Sequence, residues 1–404
     1  MSPGSSLRDT VAKGAVTTVN RLSRWTSRGS GTVIGGKVGL AISPRLLTAL
    51  SRGREVVLVS GTNGKTTTTA MIAAGWSSNV ATNDTGSNMP AGHVAALVAS
   101  KAATAVLEVD EAWLGDVTRS TSAKVVALLN LSRDQLDRAN EVRQVAERWR
   151  ALFSGTSDVM VVANANDPLV VYAAELATNV AWCDVPTSWR TDAVSCPRCT
   201  EPLHFSATSW WSECGFQKPG ILTTTLREDL LVRGVPVTLD LQLPGEFNRA
   251  NAAIALTVLS YLDVDLAEAA GRLNALTSVA GRFSVRCWRG HRLRLLLAKN
   301  PAGFEAMLRT LGDDGDDVWL AINARVADGH DPSWLYDVPF EVLRGRTVYC
   351  FGDRRLDLAT RLDYAEVEQV VCEDDSPPPV SAGVVNLVAN YTAFQDWRER
   401  SSAC

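Results

Sequence analysis

The chain of 404 residues is 46% hydrophobic and 21% charged, so it can bury a sizeable core, and intrinsic disorder is excluded as its main description. The net charge of −4 argues against nucleic-acid binding, or broad binding to anionic membranes, through bulk charge. At about 100–200 residues per domain, the length allows two or three domains. The eight cysteines are too sparse for a disulfide scaffold, which favours a cytoplasmic location and makes clustered cysteines candidates for metal binding.

Residues 1–50 are predicted to be a separate N-terminal segment. Its glycines predict turns at Gly29–Gly31 and Gly35–Gly36, followed by a short helical stretch at Arg45–Leu50. The segment has no apolar region typical of a secretory signal. The chain contains no run of about eighteen apolar residues, so we expect no membrane span.

From residue 51 onward, short apolar runs alternate with helical stretches, which predicts an α/β architecture with a parallel sheet. Residues 182 to about 220 interrupt this pattern with four of the cysteines, and we interpret them as a small ribbon insertion. We therefore expect a central domain at 51–284 and a second α/β domain at 285–404. The predicted strands are Glu55–Val59, Ala105–Val109, Val125–Leu129, Val159–Val162, Leu293–Leu297, Val318–Ile322, Thr347–Phe351 and Val384–Val388, with antiparallel strands in Ile221–Leu243 and helices at Lys65–Ser77, Asn140–Phe153 and Asn251–Asp263.

A glycine-rich loop, Ser60-Gly-Thr-Asn-Gly-Lys-Thr-Thr-Thr-Thr69, follows the first predicted strand. Its glycines let successive backbone N–H groups face an anion, and the helix that follows adds its dipole. Lys65 would reach the β- and γ-phosphates, and Thr66 would bind Mg²⁺. The strand–turn–helix context favours this interpretation over an ordinary glycine turn. The predicted nucleotide-binding residues are Gly61, Thr62, Asn63, Gly64, Lys65, Thr66 and Thr67, with Lys65 also catalytic.

Acidic residues follow the next predicted strand, in Glu108-Val-Asp-Glu111. Ligands of open α/β sheets bind at the carboxyl ends of the strands, so a carboxylate there could hold Mg²⁺ directly or through water. We assign this catalytic and metal-binding role to Glu108. A solvated acidic loop is the alternative.

These motifs resemble the central domain of the Mur ligase family. The sequence resembles the MurT-type members more closely than the other Mur ligases. MurT-type proteins are the ATP-using subunits of lipid II isoglutaminyl synthase. The motifs that carry this closer resemblance are Asp134-Gln-Leu-Asp-Arg138, Cys196-Pro-Arg-Cys199, Pro244-Gly-Glu-Phe-Asn-Arg-Ala-Asn251, Lys299-Asn-Pro-Ala-Gly-Phe304, Asp328-Gly-His-Asp-Pro-Ser-Trp334 and Asn390-Tyr-Thr-Ala-Phe394. The resemblance implies a P-loop central domain, a Cys-rich ribbon and a Rossmann-like C-terminal domain.

The resemblance implies that ATP and Mg²⁺ activate a carboxylate as an acyl phosphate, which ammonia converts to an amide. The implied substrate is the α-carboxyl of D-glutamate in lipid II, met at the cytoplasmic face of the membrane. By the same analogy Asn248 and Asn251 contact the nucleotide, although helix capping would also explain asparagines at these positions.

No glutaminase motif occurs in the chain, and the resemblance implies that ammonia comes from a GatD-like glutamine amidotransferase. In MurT-type proteins an aspartate of the C-terminal domain is thought to orient the partner's catalytic histidine. Asp331 is the best candidate by position and Asp337 the second. Without the resemblance, both would be interpreted as turn residues near Gly329 and Pro332.

The ribbon predicts a structural zinc site that is incomplete. Two Cys-x-x-Cys pairs would supply four thiolates for a tetrahedral ion. Here Cys196, Cys199 and Cys214 are present, but Trp211 occupies the fourth position. Either Cys183 or His204 completes the set, or the ribbon has no metal and is held by apolar packing around its aromatic residues.

Several positions depart from the family pattern, among them Ser87, Asn166 and Ser284. These departures make amidation of a different carboxylic acid the main alternative. A peptide-adding Mur ligase and a weakened scaffold that mainly binds its partner are further alternatives. Intact Lys65 and Glu108 argue against the scaffold, and the 134–138 and 328–334 motifs argue against the peptide-adding ligase.

Overall fold

The computed structural model of the protein describes residues 6–25, 32–83, 87–133, 142–279, 281–311, 317–373, 378 and 384–404. It consists of a helical N-terminal segment, a large sheet with a small ribbon insertion, and a second sheet. Within the described residues, no helix has the length and apolar character that a membrane span requires.

The N-terminal segment consists of helices α1 (Leu7–Trp25), α2 (Thr32–Ile42) and α3 (Leu46–Ser51). The turn predicted at Gly35–Gly36 is wrong, because both glycines lie inside α2. A Cβ atom on Gly36 would lie 1.8 Å from the carbonyl oxygen of Ala91 in a neighbouring helix. These glycines therefore permit close helix packing. Gly29–Gly31 lie outside the described residues.

The large sheet is α/β as predicted and covers residues 55–237. Its strands and those of the insertion are β1 (Glu55–Ser60), β2 (Val80–Thr82), β3 (Thr104–Glu108), β4 (Val125–Leu128), β5 (Met160–Asn164), β6 (Asn179–Asp184), β7 (His204–Phe205), β8 (Trp210–Trp211), β9 (Thr224–Leu226), β10 (Leu230–Val232) and β11 (Val235–Val237). The helices that cover it are α4 (Lys65–Gly75), α5 (Pro90–Ala99), α6 (Leu114–Thr121), α7 (Val142–Ser154), α8 (Pro168–Ala174), α9 (Glu246–Ser260) and α10 (Leu266–Asn274).

The strand order in this sheet is β11-β10-β9-β6-β5-β4-β1-β3-β2. Strands β1 to β6 and β9 are parallel, whereas β9, β10 and β11 pair antiparallel. The central strands β1, β3 and β4 are buried on both faces, as expected for continuous runs of valine, leucine and alanine. Their carboxyl ends therefore lie side by side, which places the glycine-rich loop next to the Glu108 strand end.

The insertion is a small unit built around the β7–β8 hairpin. Trp210 and Phe216 are buried in it, with ring centroids 4.9 Å apart. The indole N–H of Trp210 donates to the carbonyl of Ala165, 3.0 Å away. A buried ion pair joins Lys218 Nζ to Asp184 Oδ1 at 2.7 Å. Apolar packing and this ion pair attach the ribbon to the ends of β5 and β6.

The second sheet has the order β16-β15-β14-β17-β13-β12-β18. Its strands are β12 (Phe283–Trp288), β13 (His291–Leu297), β14 (Val318–Ala321), β15 (Thr347–Phe351), β16 (Glu368–Val371), β17 (Val384–Ala389) and β18 (Ser402–Ala403), and its helices are α11 (Pro301–Leu308), α12 (Arg355–Tyr364) and α13 (Tyr391–Arg400). Strands β13 to β17 are parallel, and β12 and β18 add an antiparallel edge. The boundary predicted at residue 284 falls inside β12.

Cys287 and Cys404 form a disulfide that joins β12 to the residue following β18. The sequence did not point to this bond, since the two cysteines are 117 residues apart. It links the last described residues to the first strand of the second sheet.

Candidate active site

The loop between β1 and α4 has the backbone conformation of an anion cradle. Gly61 has φ 141° and Gly64 has φ 85°, values that favour glycine. A Cβ atom on Gly61 would lie 3.0 Å from the backbone of Asn130, and one on Gly64 would lie 2.7 Å from Asn251 Oδ1. Both glycines are therefore required by the conformation and by the close approach of neighbours.

Asn130, at the end of β4, holds the loop in place. Its Oδ1 accepts from the backbone N–H of Asn63 at 2.9 Å, and its Nδ2 donates to the carbonyl of Asn63 at 2.9 Å. The N–H of Thr62 donates to the Asn130 carbonyl, also at 2.9 Å. The Thr62 hydroxyl donates to the carbonyl of Ser132 at 3.0 Å. These contacts preorganise the loop.

Lys65 is buried at the start of α4. Its ammonium group donates to the carbonyl of Gly61 and, at 3.1 Å, to that of Thr62. It also pairs with Glu111 Oε1 at 3.2 Å. The predicted phosphate-binding cation therefore lies directly over the loop, with a carboxylate beside it.

Thr66 and Glu108, predicted as Mg²⁺ ligands, are in contact. The Thr66 hydroxyl donates to Glu108 Oε2 at 2.6 Å. The guanidinium of Arg282, between the two sheets, donates to the same hydroxyl oxygen from Nη2 at 2.8 Å. A hydroxyl, a buried carboxylate and two cations thus meet at the N-terminus of α4.

The backbone of Glu108 is fixed by two side chains. Asn83 accepts from its N–H and donates to its carbonyl, both at 2.8 Å. Nε2 of the buried His93 lies 2.8 Å from the same carbonyl. Burial lowers the pKa of His93 to about 4, so the ring is neutral at physiological pH and Nε2 is the donor. Asn83 and His93 therefore hold the carboxylate of Glu108 in position.

Asn248 and Asn251 lie one turn apart on α9, as the spacing requires. Asn251 faces Gly64, and Asn248 Nδ2 donates to the carbonyl of Pro244 at 2.6 Å. Helix capping does not explain them, because α9 begins at Glu246, before both asparagines.

A cavity of about 740 Å³ lies between the carboxyl ends of the two sheets. The large sheet contributes the loop, Glu108 and Asn130, and the second sheet contributes Lys299 and Asp328. Asn300 crosses the gap, because its Nδ2 donates to Asn63 Oδ1 at 3.1 Å while its Oδ1 accepts from the N–H of Gly303. This volume is in the range of ligand pockets.

Asp331 and Asp337 are both exposed but differ in their partners. Asp331 Oδ1 accepts from the N–H of Ser333 at 2.8 Å, and this bond lowers the pKa of Asp331. Asp337 Oδ2 lies 3.5 Å from Arg133 Nη1, and that arginine also pairs with Asp192. The buried Asp328 anchors this segment by accepting from the Thr392 N–H at 2.8 Å.

The three ribbon cysteines form a cluster whose sulfur atoms all lie within 4.8 Å of one another. The Ser212 hydroxyl, 3.4 Å from the sulfur of Cys199, lowers the pKa of this thiol to about 7. Neither proposed fourth ligand joins them. Cys183 lies in β6 beside Thr257, and the His204 ring stacks on Trp211 with centroids 5.6 Å apart.

The motif Asp134–Arg138 lies outside the described residues. Sequence reasoning did not assign Arg282, Asn130, Asn300, Asn83, His93 or Glu111 to the site. Arg282 follows a glycine at the end of the central domain, and Asn130 opens the motif that contains Asp134. The sequence therefore offered a signal at Arg282 and at Asn130, but only the fold brings these two side chains into contact with the loop.

Two family models match the chain. The Mur ligase middle domain matches residues 59–259, and the MurT ligase C-terminal model matches residues 297–394. The lipid II isoglutaminyl synthase (glutamine-hydrolyzing) subunit MurT of Staphylococcus aureus (strain COL) is 28% identical over 94% of this chain and 95% of that protein. The protein of the same description from Streptococcus pneumoniae is 26% identical over 92% of both chains.

Solved structures share the fold at low identity. A pseudomurein peptide ligase type C from Methanothermus fervidus has a TM-score of 0.66 at 16% identity, covering 88% of this chain and 80% of its own. MurF from Acinetobacter baumannii has a TM-score of 0.64 at 13% identity, covering 90% of this chain and 79% of its own.

The glycine-rich loop, the two sheets and the similarity to curated ligases define an ATP-dependent carbon–nitrogen ligase with the Mur ligase fold. Within that class, the chain matches the MurT-type Mur ligase family, through the C-terminal model at residues 297–394 and through relatives aligned over more than nine-tenths of their length. The predicted fold class and family are confirmed.

Proposed function

We propose that this chain is the ATP-using subunit of a lipid II isoglutaminyl synthase. It would activate the α-carboxyl of D-glutamate in lipid II, at the cytoplasmic face of the membrane, and a GatD-like glutaminase would supply the ammonia. The observation that carries the proposal is the MurT-type C-terminal match on the same chain as an intact phosphate loop. Relatives matched over more than nine-tenths of their length are named as subunits of this synthase.

The loop residues fit ATP. A side chain at Gly61 would crowd Asn130 and one at Gly64 would collide with Asn251, so the loop conformation that presents its N–H groups to an anion requires glycine at both positions. Lys65 would bind the β- and γ-phosphates, Arg282 would add a second cation, and Asn248 and Asn251 would contact the nucleotide from α9. Thr67 lies in the same first turn of α4.

Thr66 and Glu108 offer a hydroxyl and a carboxylate oxygen, the hard ligands that suit Mg²⁺. When bound, the ion would neutralise phosphate charge during transfer. Asn83 and His93 keep the Glu108 carboxylate aimed at Thr66.

The reaction would have two steps. A carboxylate oxygen of the substrate attacks the γ-phosphorus, the bond to the β,γ-bridging oxygen breaks, and ADP leaves. The nitrogen of ammonia then attacks the carbonyl carbon, the bond to the phosphate oxygen breaks, and ammonia gives up one proton. Lys65 would stabilise charge in the first step, and closure of the two sheets over the cavity would keep water from the acyl phosphate.

Asp331 would serve the partner. It is exposed on a segment anchored by the buried Asp328, so its carboxylate is available to orient a histidine on a second protein. Asp337 is the weaker candidate, because Arg133 already pairs with it.

The test is an amidation assay of the chain co-purified with a GatD-like subunit, using lipid II, ATP and glutamine. We expect glutamate release and a product whose mass falls by the difference between a hydroxyl and an amino group. Lys65→Ala should abolish the product. Consumption of glutamine and ATP with lipid II unchanged would overturn the assignment and indicate another carboxylate.

Ammonium chloride as nitrogen source separates the two subunits' roles. Asp331→Ala should lose glutamine-dependent amidation and keep ammonium-dependent amidation, whereas Asp337→Ala should keep both. Loss of both activities in Asp331→Ala would contradict the role given to this aspartate.

We also propose that the ribbon holds a structural zinc ion on Cys196, Cys199 and Cys214. Soft thiolates in a compact cluster suit Zn²⁺, and the lowered pKa of Cys199 favours the thiolate form. We expect one zinc ion per chain by elemental analysis and none in Cys214→Ser. Metal-free protein with an unchanged unfolding temperature would refute this site.

A further inference from the structure

Charge is distributed very unevenly along the chain. The first 50 residues contain five arginines and two lysines against a single acidic residue, Asp9, which gives them a net charge of +6. The whole chain carries −4, so the remaining residues carry −10. The basic region coincides with helices α1 to α3, and its charge is not apparent from the overall composition.

Helix α1 packs on the protein through one face only. Ala12 and Val16 are fully buried, and Val16 meets α2 at Gly39. Asp9 is also on this face, where its carboxylate accepts from the hydroxyl of Ser43 at 2.7 Å. The acidic residue is therefore used internally and does not offset the basic residues outside.

The opposite face of α1 is apolar and exposed. Leu7, Val11 and Leu22 are 83%, 54% and 54% exposed. Their spacing of four and eleven residues puts them on one side of the helix, with Thr18 between them. Arg8 and Arg21, both exposed, lie on opposite sides of this stripe. We call these five residues with Thr18 the outer face of α1.

We propose that the outer face of α1 binds the surface of an anionic lipid bilayer. An exposed apolar stripe bordered by arginines is typical of helices that lie in the plane of a membrane interface. The choice of a bilayer rests in part on the proposed function, because lipid II is membrane-bound. Binding here would hold the chain at the membrane that carries lipid II.

The charges disfavour a second copy of the chain as the occupant, since two basic faces would repel each other. A nucleic acid would be attracted by the arginines but gives no role to the leucines and the valine between them. A bilayer accounts for both kinds of residue, because each basic group near an anionic surface contributes about five-fold to affinity and the apolar side chains enter the headgroup region.

The experiment is co-sedimentation of the full-length chain with vesicles that contain neither lipid II nor ATP, so its outcome does not depend on amidation. One vesicle is pure phosphatidylcholine and the other has equal parts of phosphatidylcholine and phosphatidylglycerol. We expect binding to the anionic vesicle that falls as salt is raised. The pair Arg8→Gln/Arg21→Gln should weaken binding about 25-fold, and Leu7→Ser/Leu22→Ser should also weaken it.

The matched control is Arg119→Gln/Arg227→Gln, which removes two positive charges from arginines that are also exposed but lie outside α1. It should bind like the wild type. All these side chains are exposed, so the unfolding temperature of each variant should stay unchanged.

Absence of binding to anionic vesicles at low salt, or equal binding by the α1 variants and the control, would overturn the proposal. Equally tight binding to a DNA duplex through the same residues would also overturn it, because this would show a general polyanion surface. Loss of amidation with intact vesicle binding would instead count against the proposed function alone.

Discussion

The backbone of Glu108 is held in place by two side chains that sequence analysis did not assign to the site. Asn83 forms two hydrogen bonds with its backbone, and His93 forms a third. Groups that orient metal ligands commonly change metal affinity or activity by about 10–100-fold when removed. Asn83 is therefore a positioning residue, because its hydrogen bonds go to the backbone of Glu108.

We predict that Asn83→Ala raises the Mg²⁺ concentration needed for half-maximal ATP turnover by about ten-fold or more. Excess Mg²⁺ should restore much of the rate, because the ligand atoms remain. Asn79→Ala, an exposed asparagine near β2, is the control and should behave as wild type. An unchanged Mg²⁺ profile in Asn83→Ala would show that Glu108 is held without it.

Asp167, which is buried at the start of α8, makes the free energy of unfolding depend on pH. Burial raises the pKa of its carboxyl from 3.8 to about 6, although it accepts from the N–H groups of Leu131, Leu169 and Val170. The folded protein therefore holds this proton more tightly than the unfolded chain does. Ionisation between these two pKa values opposes folding, and the loss of stability is complete above about pH 6.

We predict that the unfolding free energy of the wild type, relative to Asp167→Asn, falls by about 2 kcal/mol between about pH 4 and about pH 7. Taking the difference cancels most other titrating groups. Urea unfolding at a series of pH values measures it. A difference that stays constant or rises with pH would contradict the raised pKa.

At the level of elements, the sequence predicted the alternating strands and helices of both sheets well. Buried parallel strands are continuous apolar runs, and the phosphate loop is a set of consecutive residues, so both are local signals. Helix α2 was missed because Gly35 and Gly36 suggest a turn when packing is unknown, and no helix was predicted over the residues of α1. Arg282 was missed as a site residue because its contact with Thr66 spans 216 residues.

Gly36 lies in close contact with a neighbouring helix, whereas Gly14 has open space around it, so substitutions at these two positions test the packing of the N-terminal helices. Gly36→Ala should lower the unfolding free energy by about 1–3 kcal/mol, because the new methyl group collides with the backbone of Ala91. Gly14→Ala, in α1 with nothing within 4 Å, should raise it by about 0.5–1 kcal/mol through the better helix former. Chemical denaturation measures both, and equal effects would refute the packing of α2 on α5.

At the level of the whole molecule, the site exists because two parallel sheets present their carboxyl ends to the same cavity. The large sheet supplies the glycine-rich loop and the proposed Mg²⁺ ligands Thr66 and Glu108. The second sheet supplies Lys299 after β13, Asp328 after β14 and Asn390 after β17. No pattern in the sequence predicts that these two sheet edges face the same cavity, because their relative placement depends on the packing of one sheet against the other.

A substitution at Asn300 tests whether the contact between the two sheets contributes to nucleotide binding. Its side chain both caps α11 and donates to Asn63 in the phosphate loop. Serine keeps a good capping group but is too short to donate to Asn63, so Asn300→Ser should leave the unfolding temperature nearly unchanged. Loss of one neutral hydrogen bond of about 1 kcal/mol predicts about five-fold weaker ATP binding by calorimetry.

Asp265→Ser is the matched control, since Asp265 caps α10 and makes no described contact with the loop. It should bind ATP like the wild type. If Asn300→Ser also binds ATP normally, the loop is fully organised by Asn130 and the large sheet. Weaker binding in Asn300→Ser alone would mean that the second sheet helps to set the loop for nucleotide, because both substitutions replace a helix cap with serine and only Asn300 donates to Asn63.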